Sequence, residues 1–324
     1  MMKRILLIIC LLLILSLAAC APAPSPADEP YEDFIVVGFS QVGAESDWRN
    51  ANTKSMQEAL SEENGYRLII DDAQQKQERQ ITAIRNFIHQ GVDYIVLAPT
   101  TEKGWDTVLA EAKAAGIPVI LVDRMIEISD DSLFNCWVGS DFLNEGRTAV
   151  RWMDQHFGDK PLRIVHLQGN IGSSAQIGRT AGLNEGLSSH PDWTLVYRES
   201  GDFTQAKGQE LVEALLADGM QFDLIFSEND NMAYGAIDAL KNAGLTPGKD
   251  VTIISFDASH TALEMVMNGE ISFDVECNPL HGPRVEALIQ RLEAGAKPPK
   301  LTYVEEGSFD TETITQSIMD SRGY

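Results

Sequence analysis

The sequence predicts an α/β protein of two Rossmann-like lobes, each with a parallel doubly wound sheet, and three observations carry that expectation. Apolar, β-branched runs of strand length alternate with amphipathic segments of helix length from Phe34 onward. The alternation comes as two tandem series of similar size, parted by a polar stretch after Arg124. Several strand runs are continuously apolar, as in 117–122, which suits strands covered by helices on both faces.

In order, 34–39 reads as a strand and 47–63 carries apolar residues at helical spacing, ending at the helix stop Asn64-Gly65. A strand at 66–70 and a helix at 75–89, closed by Gly91, form the next unit. The strand 92–98, helix 104–115 and strand 117–122 follow, and 134–139 resumes the rhythm. The second series is helix 141–157, strand 162–167, helix 173–188, strand 193–199, helix 204–217, strand 222–227, helix 230–243 and strand 251–256. The remaining elements (259–268, 271–276, 278–294 and 301–304) are expected to carry the chain back between lobes by more than one crossing. The expected division is 33–137 plus 278–298 for the N-terminal lobe and 138–277 plus 299–324 for the C-terminal lobe.

Residues 1–19 read as an export signal: a basic start at Lys3 and Arg4, an apolar core over 5–17, then Leu17-Ala18-Ala19-Cys20. This last run matches the bacterial lipoprotein cleavage box, and the match implies that Cys20 becomes a lipidated first residue anchored to the cell membrane. A simple apolar signal that happens to contain a cysteine is the plainer reading. A Pro-, Ala- and Ser-rich tether over 20–32 follows.

A net charge of −23, from 48 acidic against 25 basic residues, repels phosphate backbones and disfavours a nucleic-acid partner. The 44% hydrophobic content supports real cores. With Cys10 and Cys20 in the leader and anchor, only Cys136 and Cys277 stay in the folded body, too few for a thiolate cluster. Free buried thiols or a disulfide between them both remain open. Walker A, Gly-x-Gly-x-x-Gly, His-Glu-x-x-His and Gly-x-Ser-x-Gly patterns are missing, and the six histidines show no metal-ligand spacing, so no cofactor, metal or catalytic residue is expected.

Polar tips close the apolar strands at Ser40, Asp123-Arg124, Asn229 and Asp257. Open α/β sheets bind ligands at the carboxyl ends of their strands, so these tips point to one polar pocket. Carboxylates and guanidinium groups there offer charge-assisted acceptors and donors in fixed planes.

Gly244-Leu-Thr-Pro-Gly-Lys-Asp-Val251 with Ile253-Ile-Ser-Phe-Asp257 is similar to the end of one lobe in periplasmic sugar-binding proteins of ABC importers, the ribose- and galactose-binding type. Gly38-Phe-Ser-Gln-Val-Gly-Ala-Glu-Ser-Asp-Trp-Arg49, Asp72-Ala-Gln-Gln-Lys-Gln-Glu78, Leu167-Gln-Gly169 and Ser200-Gly-Asp-Phe-Thr204 resemble its galactofuranose-binding members. The resemblance runs in order along the whole mature chain. It implies a monomeric receptor with a three-strand hinge that takes a monosaccharide, galactofuranose or a related pentose or hexose, between its lobes and delivers it to an ABC transporter permease. It implies ligand contacts from Glu45, Trp48, Arg49, Asp123 and Arg124 in one lobe and from Arg179, Phe203, Asn229 and Asp257 in the other. Two departures stand out: Cys277, preceded by Glu276, replaces a Gln common in relatives, and Asp47 replaces a small residue.

Duller roles compete for the same residues. Asp123 and Arg124 could be a solvated strand end, Trp48 and Phe203 core filler, and Arg179 a surface helix residue. Asn229 and Asp257 could be helix caps. The rival functions are a sugar sensor presenting its ligand state to a membrane kinase and a secreted carbohydrate-active enzyme.

Overall fold

Two six-stranded sheets repeat one strand order in the computed structural model, which describes residues 34–324. The expected leader, lipidated Cys20 and tether lie outside the described residues. The strands are β1 (Ile35–Gln41), β2 (Tyr66–Asp72), β3 (Tyr94–Leu97), β4 (Val119–Val122), β5 (Cys136–Gly139), β6 (Leu162–Gln168), β7 (Trp193–Ser200), β8 (Leu224–Ser227), β9 (Thr252–Asp257), β10 (Phe273–Glu276), β11 (Leu301–Tyr303) and β12 (Ser308–Phe309). The first sheet runs β11-β5-β4-β3-β1-β2 and the second β12-β10-β9-β8-β6-β7. All pairs are parallel except β10 with β12. In each sheet the order reverses beside the first strand, between β1 and β3 and between β6 and β8. Crevices open at such points beyond the strand ends.

The helices are α1 (Asp47–Ala59), α2 (Gln77–Gln90), α3 (Asp106–Ala114), α4 (Phe142–Phe157), α5 (Ser174–Ser189), α6 (Gln205–Ala217), α7 (Asp230–Asn242), α8 (His260–Met267), α9 (Gly282–Glu293) and α10 (Gln316–Asp320). The expected helix over 47–63 stops at Ala59, and a separate turn at Glu62–Asn64 completes that stretch. Side chains alternate across the buried strands. Val96 and Ile120 join Val37, Phe39 and Val285 on one face, while Ile95 and Leu121 join Trp105 and Val108 on the other. The second lobe repeats this, with Ile225 and Ile253 facing α6 to α8 and Leu224 and Ile254 facing α4 and α5. Each fully buried aliphatic or aromatic side chain contributes about 1.5–3 kcal/mol, so both layers of both lobes carry stability. Among the described residues no helix is long and apolar enough to cross a membrane.

The chain passes between the sheets three times: after β5, between β10 and α9 (277–281), and between β11 and β12 (304–307). This corrects the expected division in two places. Residues 138–139 complete β5, and β11 pairs with β5 through Leu301 opposite Trp137, so 301–303 belong to the first sheet and not to the C-terminal lobe. Backbone pairing alone decides that, because β11 is short and mostly exposed.

The two lobes meet across the mouth of the cleft. Asp47 N donates to Asn231 Oδ1 at 3.0 Å and Asn231 Nδ2 returns a bond to Asp47 Oδ2 at 3.2 Å. Met125 N donates to Ser174 Oγ at 2.9 Å, and Glu102 N to Gly172 O at 2.9 Å. These bonds define a closed arrangement.

Beneath the second lobe's cleft lies a buried acid pair. Asp230 accepts from Ser255 Oγ and from the backbone and hydroxyl of Ser259, while Asp274 accepts from Ala258 N at 3.3 Å. Burial pushes Asp230 up to about 6, and burial with repulsion from Asp230 pushes Asp274 well up. A carboxyl that keeps its proton when folded but loses it when unfolded makes stability greatest at low pH. Stability should therefore fall as pH rises from about 4 through about 6 for Asp230, and further for Asp274. Asp274→Asn keeps the acceptor and removes the titration. Urea unfolding at pH 5 and pH 8 should show a smaller loss for the variant than for the parent.

Candidate ligand-binding cleft

The site is assembled from loop ends and first helical turns. Ser46 caps α1 by accepting from Arg49 N, which fixes Arg49 in the first turn, facing the cleft. Its Nη1 donates to Asp123 Oδ2 at 2.8 Å and its Nε to Glu45 Oε1 at 3.2 Å. Burial would lower the Arg49 pKa, but Asp123 and Glu45 outweigh it and raise it. The second lobe mirrors this arrangement from α5. Arg179 Nε donates to Glu145 Oε2 at 2.7 Å, Nη2 reaches Asp257 Oδ1 at 3.5 Å, and Nη1 donates to the Glu228 carbonyl. Here too the neighbouring carboxylates overcome burial and raise the arginine. Asp257 is raised well above the usual range, by burial first, with Arg179 opposing and Asp230 repelling.

Arg124 is treated differently. It is 3% exposed, yet its one hydrogen bond runs from Nη1 to Thr100 O at 3.3 Å, and Glu45 and Asp123 stand 3.9 Å away. Burial and then repulsion from Arg49 push it down to about 10. It stays charged at neutral pH with donors unspent, and its guanidinium lies 5.3 Å from the centre of the Phe203 ring in the opposite lobe. That is a cation–π contact across the cleft.

The backbone is strained where it presents these groups. Asp123, Phe203 and Asp257 have φ of 62°, 61° and 117°, in the region that favours glycine. Such conformations cost about 1–3 kcal/mol each and cluster where a structure holds a ligand. Asp123 is pinned by Trp137 Nε1, which donates to its carbonyl at 3.1 Å, and its carbonyl passes over Gly139, where a Cβ would stand 2.2 Å from it. Phe203 fills the space over Gly169, where a Cβ would meet its ring at 1.8 Å.

The nine residues implied as ligand contacts line one small cavity, whereas the strand tip Ser40 does not reach it. Glu45, Trp48, Arg49, Asp123 and Arg124 face it from the first lobe, and Arg179, Phe203, Asn229 and Asp257 from the second. Asp123 and Arg124 are thus not a solvated strand end, nor is Arg179 a surface residue: each is 2–3% exposed. Trp48 forms wall and anchor together, donating from Nε1 to Cys277 O at 2.6 Å. Asn229 combines both of its readings. Its Oδ1 caps α7 by accepting from Met232 N, and its Nδ2 donates to Phe203 O. Asp257 is no cap; Ser259 occupies the cap position of α8. Ser46, Phe142, Ala175 and Cys277 complete the lining. Cys136 and Cys277 are both free and buried.

Glu145 was missed in the sequence. Its signal was present: it interrupts the buried stripe Phe142, Gly146, Ala149, Met153 of α4 with a charge. Glu228 was missed as well. It ties Gly169 N, Thr180 Oγ1 and His166 together from beneath the cavity.

The pattern common to periplasmic binding protein domains matches residues 37–281. The chain belongs to the periplasmic binding protein family. It is 40% identical over 288 residues to the galactofuranose-binding protein of Escherichia coli (strain K12), covering 88% of this chain and 90% of that protein. The binding component of the arabinose ABC transporter of Shewanella sp. ANA-3, solved with α- and β-L-arabinofuranose, superposes with a TM-score of 0.84 at 40% identity over 89% of this chain and 95% of that one. A Mycobacterium smegmatis protein solved with β-D-fucofuranose gives a TM-score of 0.83 at 40% identity, over 89% and 93% of the two chains. As a periplasmic binding protein, the chain works outside the cytoplasm.

Gly169→Ala should force Phe203 from its place and destabilise the fold by about 1–3 kcal/mol, the usual range for an overpacked site. In a Phe203→Ala background the Gly169→Ala change should cost much less, so the two effects will not add in denaturant titrations.

Proposed function

We propose that this protein captures one monosaccharide in its furanose ring form between its lobes and delivers it to the permease of an ABC importer. The observation that carries this reading is the convergence of three guanidinium groups and a set of carboxyls from both lobes on one small cavity with two aromatic walls. The furanose ring form is supported by relatives bound to, or named for, furanose sugars at about 40% identity. Arg124, with donors to spare, is the group that takes sugar hydroxyls from the first lobe. Asp257 and the free amide hydrogen of Asn229 take them from the second. Phe203 and Trp48 cover the C–H faces. Because the sugar touches both lobes, it binds the closed arrangement better than an open one and shifts the population toward it. The closed shape is the one the permease reads. The protein acts as a monomer tethered through lipidated Cys20, and it binds its sugar without converting it.

A ligand lacking one hydroxyl leaves a buried partner orphaned, at about 1–3 kcal/mol, or roughly ten- to hundredfold in affinity. Calorimetry against L-arabinose, D-galactose, D-fucose and D-ribose should find at least one that binds at micromolar concentration or tighter. The C1 shift of the bound ¹³C-labelled sugar should be that of a furanose. Binding no tighter than millimolar, a bound pyranose, or product release on incubation would each overturn the assignment. Arg124→Ala should weaken binding by about a hundredfold. Its ligand-free melting temperature should stay near that of the parent, because Arg124 is costly to bury and holds only one long bond.

A further inference from the structure

The three crossings between the lobes bring together three side chains with metal-ligating atoms beside the cleft. Cys277 lies in the crossing after β10, Glu306 in the crossing before β12, and Glu145 one turn into α4, just after the crossing that follows β5. One ligand-capable atom from each falls within 4.8 Å of the others. We propose that this hinge cluster is a divalent metal site, in which Cys277 Sγ, a Glu145 oxygen and a Glu306 oxygen bind a zinc-type cation.

Several independent features favour a cation there. Glu145 has a side chain 3% exposed, and its Oε1 is buried without a hydrogen-bond partner, although Arg179 engages its Oε2. Ser140 Oγ touches both other members, donating to Glu306 Oε1 at 2.6 Å and lying 3.3 Å from Cys277 Sγ, so it orients them as outer partners of metal ligands do. Asn278 N also donates to Glu306 Oε1, at 2.7 Å. A side pocket lined by Asp141, Asn144, Glu145, Glu306 and Gly307 reaches the two carboxylates from outside and gives both access and room for a water as fourth ligand. Tetrahedral zinc places such sulfur and oxygen ligands about 3.5 Å apart, so small rotations suffice to close the set. A thiolate with two carboxylates suits a borderline-soft cation and not magnesium or calcium, which take oxygen alone.

Sequence reading could not find the site, because its ligands come from three distant segments and no short motif joins them.

Cobalt substitution tests the proposal without reference to sugar. Titrating the purified protein with Co²⁺ should saturate at one equivalent and produce visible bands of a tetrahedral centre together with a near-ultraviolet thiolate-to-cobalt band, both displaced by Zn²⁺. Cys277→Ser should abolish the thiolate band. Glu306→Gln, which keeps the acceptor and hinge bonds, should weaken binding at least tenfold and serves if the cysteine variant does not fold. Cys20→Ser and Cys136→Ser should leave the spectrum unchanged. Absence of a thiolate band, its survival in Cys277→Ser, or its loss in Cys136→Ser would overturn the site. None of these outcomes bears on whether a sugar binds.

Discussion

Pairing of buried charge is the constraint on which the rest of the molecule depends. An isolated guanidinium in a closed cleft carries a desolvation penalty of several kcal/mol, and only close carboxylates with good geometry repay it. Arg49 is repaid by Asp123 and Glu45, and Arg179 by Glu145 and Asp257. Those partners come from separate elements, so the sheets, the caps of α1 and α5 and the tight turns after β4 and β9 must all hold together for the charges to be tolerated. Arg124 is the member left short of partners, which makes it the place where solvent or a ligand is most needed.

The lobes solve this problem twice with one design. In each, an acid follows the fourth strand of the series, Asp123 after β4 and Asp257 at the end of β9, and pairs with an arginine on the helix after the first strand. Both acids sit at positive φ. The repetition explains why charge of both signs reaches the cleft from both sides. The differences between lobes give the cavity its asymmetry: Trp48 walls one side through its bond to the hinge, and Phe203 the other through its seat over Gly169.

Much of this was legible because strand-end acids leave a clear trace: an apolar run that stops at Asp123 or Asp257 announces a sheet edge. Phe203 was less so, since nothing in its local sequence announces a left-handed aromatic; only its likeness to known receptors pointed to it. Glu145 broke an apolar stripe that had been read simply as a helix. Asp274 hid inside a strand, where its buried partner Asp230 could not be anticipated from spacing. The lobe assignment of Leu301–Tyr303 slipped because a three-residue exposed strand is held by backbone bonds, which carry no side-chain pattern.

The reciprocal bonds between Asp47 and Asn231 carry a consequence for kinetics. They join the lobe rims without any help from a guest, so shutting has a favourable contribution of its own. A latch of this kind prolongs residence more than it speeds capture, because most affinity differences among related complexes appear in the rate of escape. Slow escape suits scavenging from dilute surroundings, and it obliges the transporter to prise the jaws apart before cargo can leave.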